Sequence, residues 1–166
     1  HPDDKDGVYD GGLGWPFTRY RLMWDVPYEP GTLEVVAYDN EGKAAMRKRV
    51  VTAGRPAKVE LVPDRVVIRA DGEDLSFVTV RITDVEGNLC PKAEHRLSFQ
   101  VKGPGEIAAL DNGDPTSLEP FQNTTRRAFN GLCLAIVRSQ DGATGAIELT
   151  ARGVGLETAT VTIRAE

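Results

Sequence analysis

Apolar and polar residues alternate with a period of two along most of this chain. Glycine, proline, asparagine and aspartate interrupt the alternation about every 8–12 residues, a spacing typical of sheet proteins built from short strands. One clear example is the segment in which Val78, Val80 and Ile82 alternate with Thr79 and Arg81. A period of two places successive side chains on opposite faces of a strand, whereas a helix requires about 3.6 residues per turn. The alternation therefore predicts an all-β chain with almost no helix.

Residues 57–166 contain enough strand candidates for a complete domain. These candidates are Lys58–Val62, Val66–Arg69, Leu75–Asp84, Arg96–Val101, Gly105–Leu110, Gly131–Ser139, Gly145–Arg152 and Glu157–Arg164. A set of about eight short strands in about 110 residues is typical of an immunoglobulin-like β-sandwich. We therefore predict one immunoglobulin-like β-sandwich domain over residues 57–166.

The same alternation predicts which side chains fill the core of this domain. On each strand, the apolar residues that share one face are expected to point inward. The predicted core residues are Val78, Val80, Ile82, Leu97, Phe99, Val101, Leu132, Leu134, Ile136, Ile147, Leu149, Val161 and Ile163. Cys133 lies inside an apolar run, so we expect a buried free thiol there. A disulfide with Cys90 stays an open alternative, because pairing depends on Cα geometry.

The first part of the chain has a different composition. Residues 1–18 are rich in glycine and aspartate and are predicted to be irregular. The strand candidates that follow are Arg19–Trp24, Thr32–Asp39 and Lys43–Thr52. Three strands bury too little apolar surface for an independent sandwich, so we predict that residues 1–52 are the closing strands of a preceding, incomplete β-sandwich. Residues 53–56 are predicted to be a short linker, and the first residue is not methionine, which favours a chain that begins within a longer protein.

Several function classes find no support in the sequence. The formal net charge is -5 and no basic stripe is present, which argues against nucleic acid as a partner. No apolar run is long enough to span a membrane. The only histidines are His1 and His95, and neither belongs to a recognisable nucleophilic motif. Glycine-rich phosphate-binding motifs are absent as well, and no cofactor is predicted.

The chain has 25 acidic residues, and most of them fall in predicted turns. A catalytic general acid needs burial or a nearby negative charge that raises its pKa, whereas a solvated turn carboxylate stays ionised. We therefore predict no catalytic residue. The oxygen-rich loop with Asp111, Asp114 and Glu119 is a candidate calcium site, although residues of these types also form ordinary turns.

Aromatic residues suggest one further type of site. Trp15 and Trp24 belong to an aromatic cluster before residue 29, and Phe121 lies in a predicted loop of the second domain. Exposed aromatic rings can stack on sugar rings, which makes Trp15, Trp24 and Phe121 candidate glycan contacts. Packing in a core or a domain interface is the alternative for the same side chains.

Several short segments follow one another in a recognisable order. They are Tyr20–Leu33, Val51–Ala57, Ala70–Leu75, Asp84–Asn88, Asn112–Pro115, Glu119–Phe121 and Ala128–Gly131. Over about residues 19–166, this order and spacing resemble the C-terminal β-sandwich region that follows the catalytic barrel in bacterial family 2 glycoside hydrolases of the β-galactosidase type. The resemblance implies that the catalytic glutamates lie on an upstream barrel, and no residue here matches them. It also implies a secreted or periplasmic parent protein that degrades carbohydrate.

These observations lead to one main hypothesis and two alternatives. We expect a non-catalytic accessory region of a glycoside hydrolase, with the catalytic barrel of the same polypeptide as its partner. A carbohydrate-binding module, with polysaccharide as its partner, is the first alternative. An adhesin-type immunoglobulin-like spacer is the second, although no internal repeat is visible.

Overall fold

A computed structural model describes residues 25–166, and every regular element in this range is a β-strand. In chain order the strands are β1 (Thr32–Tyr38), β2 (Ala44–Val51), β3 (Lys58–Pro63), β4 (Val67–Ile68), β5 (Leu75–Thr83), β6 (Arg96–Lys102), β7 (Gly105–Asp111), β8 (Thr125–Arg127), β9 (Leu132–Ser139), β10 (Gly145–Gly153) and β11 (Ala159–Ala165). The prediction of an all-β, immunoglobulin-like sandwich is confirmed. The predicted strand Arg19–Trp24 lies outside the described residues. Residues 25–166 include no helix that is long and apolar enough to cross a membrane.

The chain divides into two compact units, the first ending at Val50 and the second spanning Val51–Glu166. In the first unit, β1 and β2 pair as a two-stranded hairpin. Its turn is organised by Asp39, whose Oδ1 accepts hydrogen bonds from the backbone N–H groups of Glu41 at 3.0 Å and Lys43 at 2.9 Å. Gly42 has a φ of 78°, a left-handed conformation that glycine adopts without steric cost. The sequence therefore forms this connection with local hydrogen bonds alone.

The second unit is built from two sheets. The four-stranded sheet has the order β3-β5-β9-β7, and the five-stranded sheet has the order β4-β11-β10-β6-β8. All pairings are antiparallel except that of β4 with β11, which is parallel. Strand β8 was not predicted, because its sequence Thr-Arg-Arg carries no apolar alternation.

The core lies between the two sheets, and most of the predicted core residues are found there. Val78, Val80, Ile82, Leu97, Phe99, Ile147, Leu149 and Ile163 are buried, and Val101 and Val161 pack partly buried against them. Burial of such apolar side chains is the main favourable term in folding, worth about 1.5–3 kcal/mol for each large one. The period-two pattern therefore identified the inward faces of β5, β6, β10 and β11.

The prediction for β9 was wrong. Leu132, Leu134 and Ile136 were expected in the core, but Cys133, Ala135 and Val137 occupy it. Pairing with β5 sets this orientation, since Val80 lies opposite Cys133 and Val78 lies opposite Ala135. Because every residue from 132 to 137 is apolar, alternation could not show which face points inward. The larger side chains consequently lie on the outer face of the four-stranded sheet.

Both cysteines are free and buried. Burial raises the pKa of Cys133 to about 12, and burial followed by the charge of Asp84 raises that of Cys90. The Sγ of Cys90 lies 3.7 Å from the carbonyl oxygen of Gly54, to which it donates a weak hydrogen bond. Both side chains therefore remain thiols at neutral pH and act as small apolar packing groups.

Candidate functional site

The turn after β5 is organised around one carboxylate, that of Asp84, which is only 3% exposed. Its Oδ1 accepts hydrogen bonds from the backbone N–H groups of Glu86 at 3.0 Å and Asn88 at 2.8 Å. Its Oδ2 accepts from the N–H of Gly54 at 2.8 Å and from Nδ2 of Asn88 at 3.1 Å. The hydrogen bond from Gly54 is the largest of the causes that lower the pKa of Asp84 from 3.8 to about 2. Asp84 is therefore an ionised anchor and is unsuited to act as a general acid.

This anchor holds the segment through which the chain enters the sandwich. Three residues beyond Gly54, Ala57 donates its N–H to the carbonyl of Thr83 at 2.8 Å and accepts the N–H of Glu157 at 2.8 Å. An open depression of about 360 Å³ lies alongside, lined by residues 52 and 54–57 and by residues 84–86. The oxygen atoms of Asp84 that border it are already bonded to the protein. The Asp84 carboxylate at this depression is therefore already committed to the protein.

The long connection between β7 and β8 is organised around a charge of opposite sign. The guanidinium of Arg126 is 1% exposed and donates to three backbone carbonyls. The acceptors are the oxygens of Glu119 at 3.1 Å, Pro120 at 2.9 Å and Leu110. A carboxylate oxygen of Glu119 lies 4.0 Å from the same guanidinium. Arg126 therefore joins the middle of the loop to the end of β7, and it supplies the donors that such carbonyls need when they are buried.

The three candidate calcium ligands lie in this loop, and each carboxylate has neighbours of its own. Asp111 accepts the N–H of Asn112 at 2.7 Å. Asp114 accepts both the N–H and the hydroxyl of Thr116, and the hydroxyl is the main cause that lowers the pKa of Asp114. Glu119 pairs with Arg96 and accepts the N–H of Arg127 at 3.0 Å. Calcium binding by Asp111, Asp114 and Glu119 stays a prediction.

Phe121 is the one candidate glycan contact within the described residues, because Trp15 and Trp24 lie outside them. Its ring stacks on the buried guanidinium of Arg126, with 5.5 Å between the ring centroid and Cζ. Even so, 56% of Phe121 is exposed, and its neighbour Leu118 is 97% exposed. The loop therefore presents a partly exposed aromatic ring, one face of which packs against the buried guanidinium of Arg126.

Other carboxylates of the domain serve the same structural purpose. Asp71 accepts the N–H groups of Glu73 and Asp74, and its pKa is lowered chiefly by the hydrogen bond from Asp74. Asp74 in turn accepts the N–H of Arg69 at 2.9 Å, which is the main cause of its own lowered pKa. Over residues 25–166, no group of three His, Cys, Asp or Glu side chains is placed to hold a metal ion. The carboxylates of Asp71 and Asp74 therefore bind backbone N–H groups of their own loop.

Sequence reasoning did not single out Asp84 or Arg126. Asp84 was predicted as the last residue of a strand, whereas β5 ends at Thr83 and the hydrogen bond of Asp84 to Gly54 joins residues 30 positions apart. Arg126 stands next to Arg127, which is exposed, and no local pattern separates the two. A buried arginine is recognisable only after the loop that covers it is in place.

Together, the fold and these sites define a β-sandwich protein with two loops held by buried charges. Residues 59–162 match the model of the glycoside hydrolase family 2 C-terminal domain 5. Residues 7–46 match a second model, a domain of unknown function (DUF4982). The chain therefore belongs to glycoside hydrolase family 2.

Relatives within this family share a large part of the chain. It is 47% identical over 145 residues to beta-galactosidase BoGH2A of Bacteroides ovatus, covering 87% of this chain. It is 30% identical over 145 residues to a putative beta-glucuronidase of Formosa agariphila, covering 86% of this chain. A beta-glycosidase structure from Bacteroides vulgatus superposes with a TM-score of 0.82 at 31% identity, over 87% of this chain. The chain spans only 17%, 14% and 19% of these three proteins.

Proposed function

We propose that this chain is a non-catalytic accessory region of a glycoside hydrolase of the β-galactosidase type, acting in carbohydrate metabolism. The observation that carries the proposal is the match of residues 59–162 to a C-terminal domain of the family, and the state of four carboxylates agrees with it. Asp71, Asp74, Asp84 and Asp114 have lowered pKa values because backbone or hydroxyl donors hold them ionised. The general acid of a glycosidase requires a pKa shifted upward. The family match, which is to a C-terminal domain, supports the same role.

The relatives also suggest that the role does not depend on the sugar. One relative is a beta-galactosidase and another is a putative beta-glucuronidase, although both match this chain over 145 residues. Our proposal includes the catalytic barrel of the same polypeptide as the partner of this region, and a secreted or periplasmic location. The family resemblance supports both of these points.

A carbohydrate-binding module is the second candidate, and one observation favours it. Phe121 is half exposed while its ring rests on the guanidinium of Arg126. A ring that is already fixed loses little conformational entropy when a ligand stacks on it. Under this alternative, polysaccharide would bind at the loop around Phe121.

Two measurements on the same preparation of the chain, hydrolysis and sugar binding, distinguish the accessory region from the carbohydrate-binding module. We expect no hydrolysis of nitrophenyl β-galactoside or β-glucuronide above the buffer rate, and no saturable heat with galactosides or plant polysaccharides in calorimetry. Hydrolysis that increases in proportion to the chain concentration, and that persists when the chain is purified again, would contradict the non-catalytic assignment. A binding module would show saturable heat that Phe121→Ala abolishes. The control Phe77→Ala, which removes an exposed phenylalanine from a sheet instead of the loop, would then retain binding.

A further inference from the structure

The first and last strands of the second unit run side by side in the same direction. Lys58, at the start of β3, pairs in parallel with Glu157, just before β11 begins. Strand β4 pairs in parallel with the end of β11, where Val67 lies opposite Arg164. The chain from residue 57 to residue 70 therefore follows β11 from its start to its end, although β3 and β4 belong to different sheets.

Backbone hydrogen bonds join these two segments at both ends of β11. At its start, the N–H of Glu157 donates to the carbonyl of Ala57 at 2.8 Å, and the carbonyl of Glu157 accepts the N–H of Val59 at 3.0 Å. At its end, N–H groups donate to carbonyls from Arg164 to Val66 at 2.8 Å, from Glu166 to Ile68 at 3.0 Å and from Ala70 to Glu166 at 2.8 Å. All of these bonds cross from one strand to the other.

The parallel arrangement places the two ends of this unit far apart along the strands. The chain enters beside Glu157, and Glu166 lies about 30 Å further along β11 at about 3.3 Å per residue. Force applied to the two ends therefore acts along the strands and pulls residues 57–70 past β11. The hydrogen bonds at both ends of β11 are then loaded at the same time, so the break of one bond does not free the others.

Both segments are also fixed to the rest of the sandwich. Ala57 donates its own N–H to the carbonyl of Thr83 at 2.8 Å, which holds the entry point on a second side. Val59 and Ile68 are buried on the first segment, and Ala165 is buried on β11. Lifting either segment away from the sandwich would expose these apolar side chains to water. Sliding along the strands is therefore the motion that force at the two ends must produce.

We propose that the parallel contact between residues 57–70 and β11 is a mechanical clamp, which resists tension applied along the chain. Unfolding under force is governed by the rate of unfolding, so the clamp acts by raising the barrier that tension must overcome. An accessory region with such a clamp keeps its fold while the polypeptide is pulled. This property goes beyond the accessory role proposed above, because it concerns the response to force and neither hydrolysis nor sugar binding.

Single-molecule force spectroscopy of the complete chain tests the clamp by changing only the direction of pulling. Every molecule carries Val154→Cys and one handle attached before His1, and the second handle is attached either at the C-terminus or at the introduced thiol. Val154 is 92% exposed in the turn between β10 and β11, shortly before Glu157. The buried Cys90 and Cys133 react little with a handle. Force on the turn peels the two segments apart from Glu157 onward, whereas force on the C-terminus shears them.

At the same force, we expect unfolding to be at least about tenfold slower when the C-terminus is pulled than when the turn is pulled, because several bonds must break together. Both directions use one variant, so a difference in equilibrium stability cannot produce this result. Residues 57–154 release about twice the length of chain that the first unit can release, since that unit ends at Val50, and the extension therefore identifies the sandwich. Equal unfolding rates in the two directions would overturn the proposal.

A matched pair of variants tests one bond of the clamp. Glu166→Pro and Glu166→Ala both remove an exposed side chain, but only Glu166→Pro also removes the N–H that donates to Ile68. When the C-terminus is pulled, we expect Glu166→Pro to unfold about three- to tenfold faster than Glu166→Ala, and at the same rate when the turn is pulled. Equal rates of the two variants under force on the C-terminus would contradict the clamp. If Glu166→Pro does not fold, the comparison of pulling directions still decides the proposal.

Discussion

Among the described residues, two charged side chains of opposite sign are buried, and they hold different loops of the sandwich. Asp84 is 3% exposed in the turn after β5, and Arg126 is 1% exposed in β8, beneath the loop that precedes it. Each is bonded mainly to backbone groups. Buried charges ordinarily require a partner of opposite charge or a full set of hydrogen bonds, and here the second solution dominates at both sites.

The difference between them lies in how completely each is satisfied. Both oxygens of Asp84 accept two hydrogen bonds each. The Nε of Arg126 is buried and has no hydrogen-bond partner within residues 25–166. The turn after β5 thus forms around the side chain of Asp84, which stabilises it. Arg126 instead serves the loop, since three carbonyls depend on it while one of its own donors stays unused.

This comparison predicts that Arg126→Ala is the most damaging single change in either loop. Three carbonyl oxygens would lose their donors and a large cavity would form, costing about 3–5 kcal/mol of unfolding free energy. Urea denaturation followed by far-UV circular dichroism measures the loss. Tryptophan fluorescence would not report it, because every tryptophan and tyrosine precedes residue 57.

Arg127→Ala is the matched control. Arg127 is 59% exposed on its side chain and pairs with Glu94 at 3.5 Å. Such a surface change alters stability by about 0.5 kcal/mol or less. Equal losses in the two variants would show that Arg126 does not organise the loop.

Asp84 should be the site that responds to acid. Its folded pKa of about 2 lies below the ordinary 3.8, so its contribution to stability is present above pH 3.8 and is lost as pH falls toward 2. Asp84→Asn removes this titration and should be less stable than the parent chain at neutral pH. The difference in unfolding free energy between Asp84→Asn and the parent chain should narrow between about pH 4 and pH 2. Urea midpoints measured across that range would show it.

Glu86→Gln separates this effect from a general change in charge. Glu86 lies in the same turn but is exposed, and we expect its variant to follow the parent chain at every pH. A gap between Asp84→Asn and the parent chain that stays constant from neutral pH to pH 2 would contradict the role given to the Asp84 carboxylate.

The sequence predicted the repeating parts of the fold well and the tertiary contacts poorly. Strands with clear alternation, such as β5 and β6, were placed within one residue of their observed ends. In β9 the uniform apolar run has no polar face, so the inward side depends on pairing with β5 and was assigned wrongly. Polar anchors depend on separations of 16 residues from Arg126 to Leu110 and 30 from Asp84 to Gly54. Short patterns carry no information about contacts over such distances.

Apart from the two controls, the smallest expected effect is that of Glu119→Gln, which tests what holds Arg126 in place. Glu119 pairs with Arg96, accepts the N–H of Arg127 at 3.0 Å and lies 4.0 Å from Arg126. Glu119→Gln keeps an oxygen acceptor for Arg127 and removes only the charge. We expect a loss of about 1 kcal/mol or less, shrinking further in about 1 M salt, where the Debye length is about 3 Å. If Glu119→Gln instead destabilised the chain as much as Arg126→Ala in the same urea series, the ion pair would be the anchor, and the contrast drawn between Arg126 and Asp84 would fail.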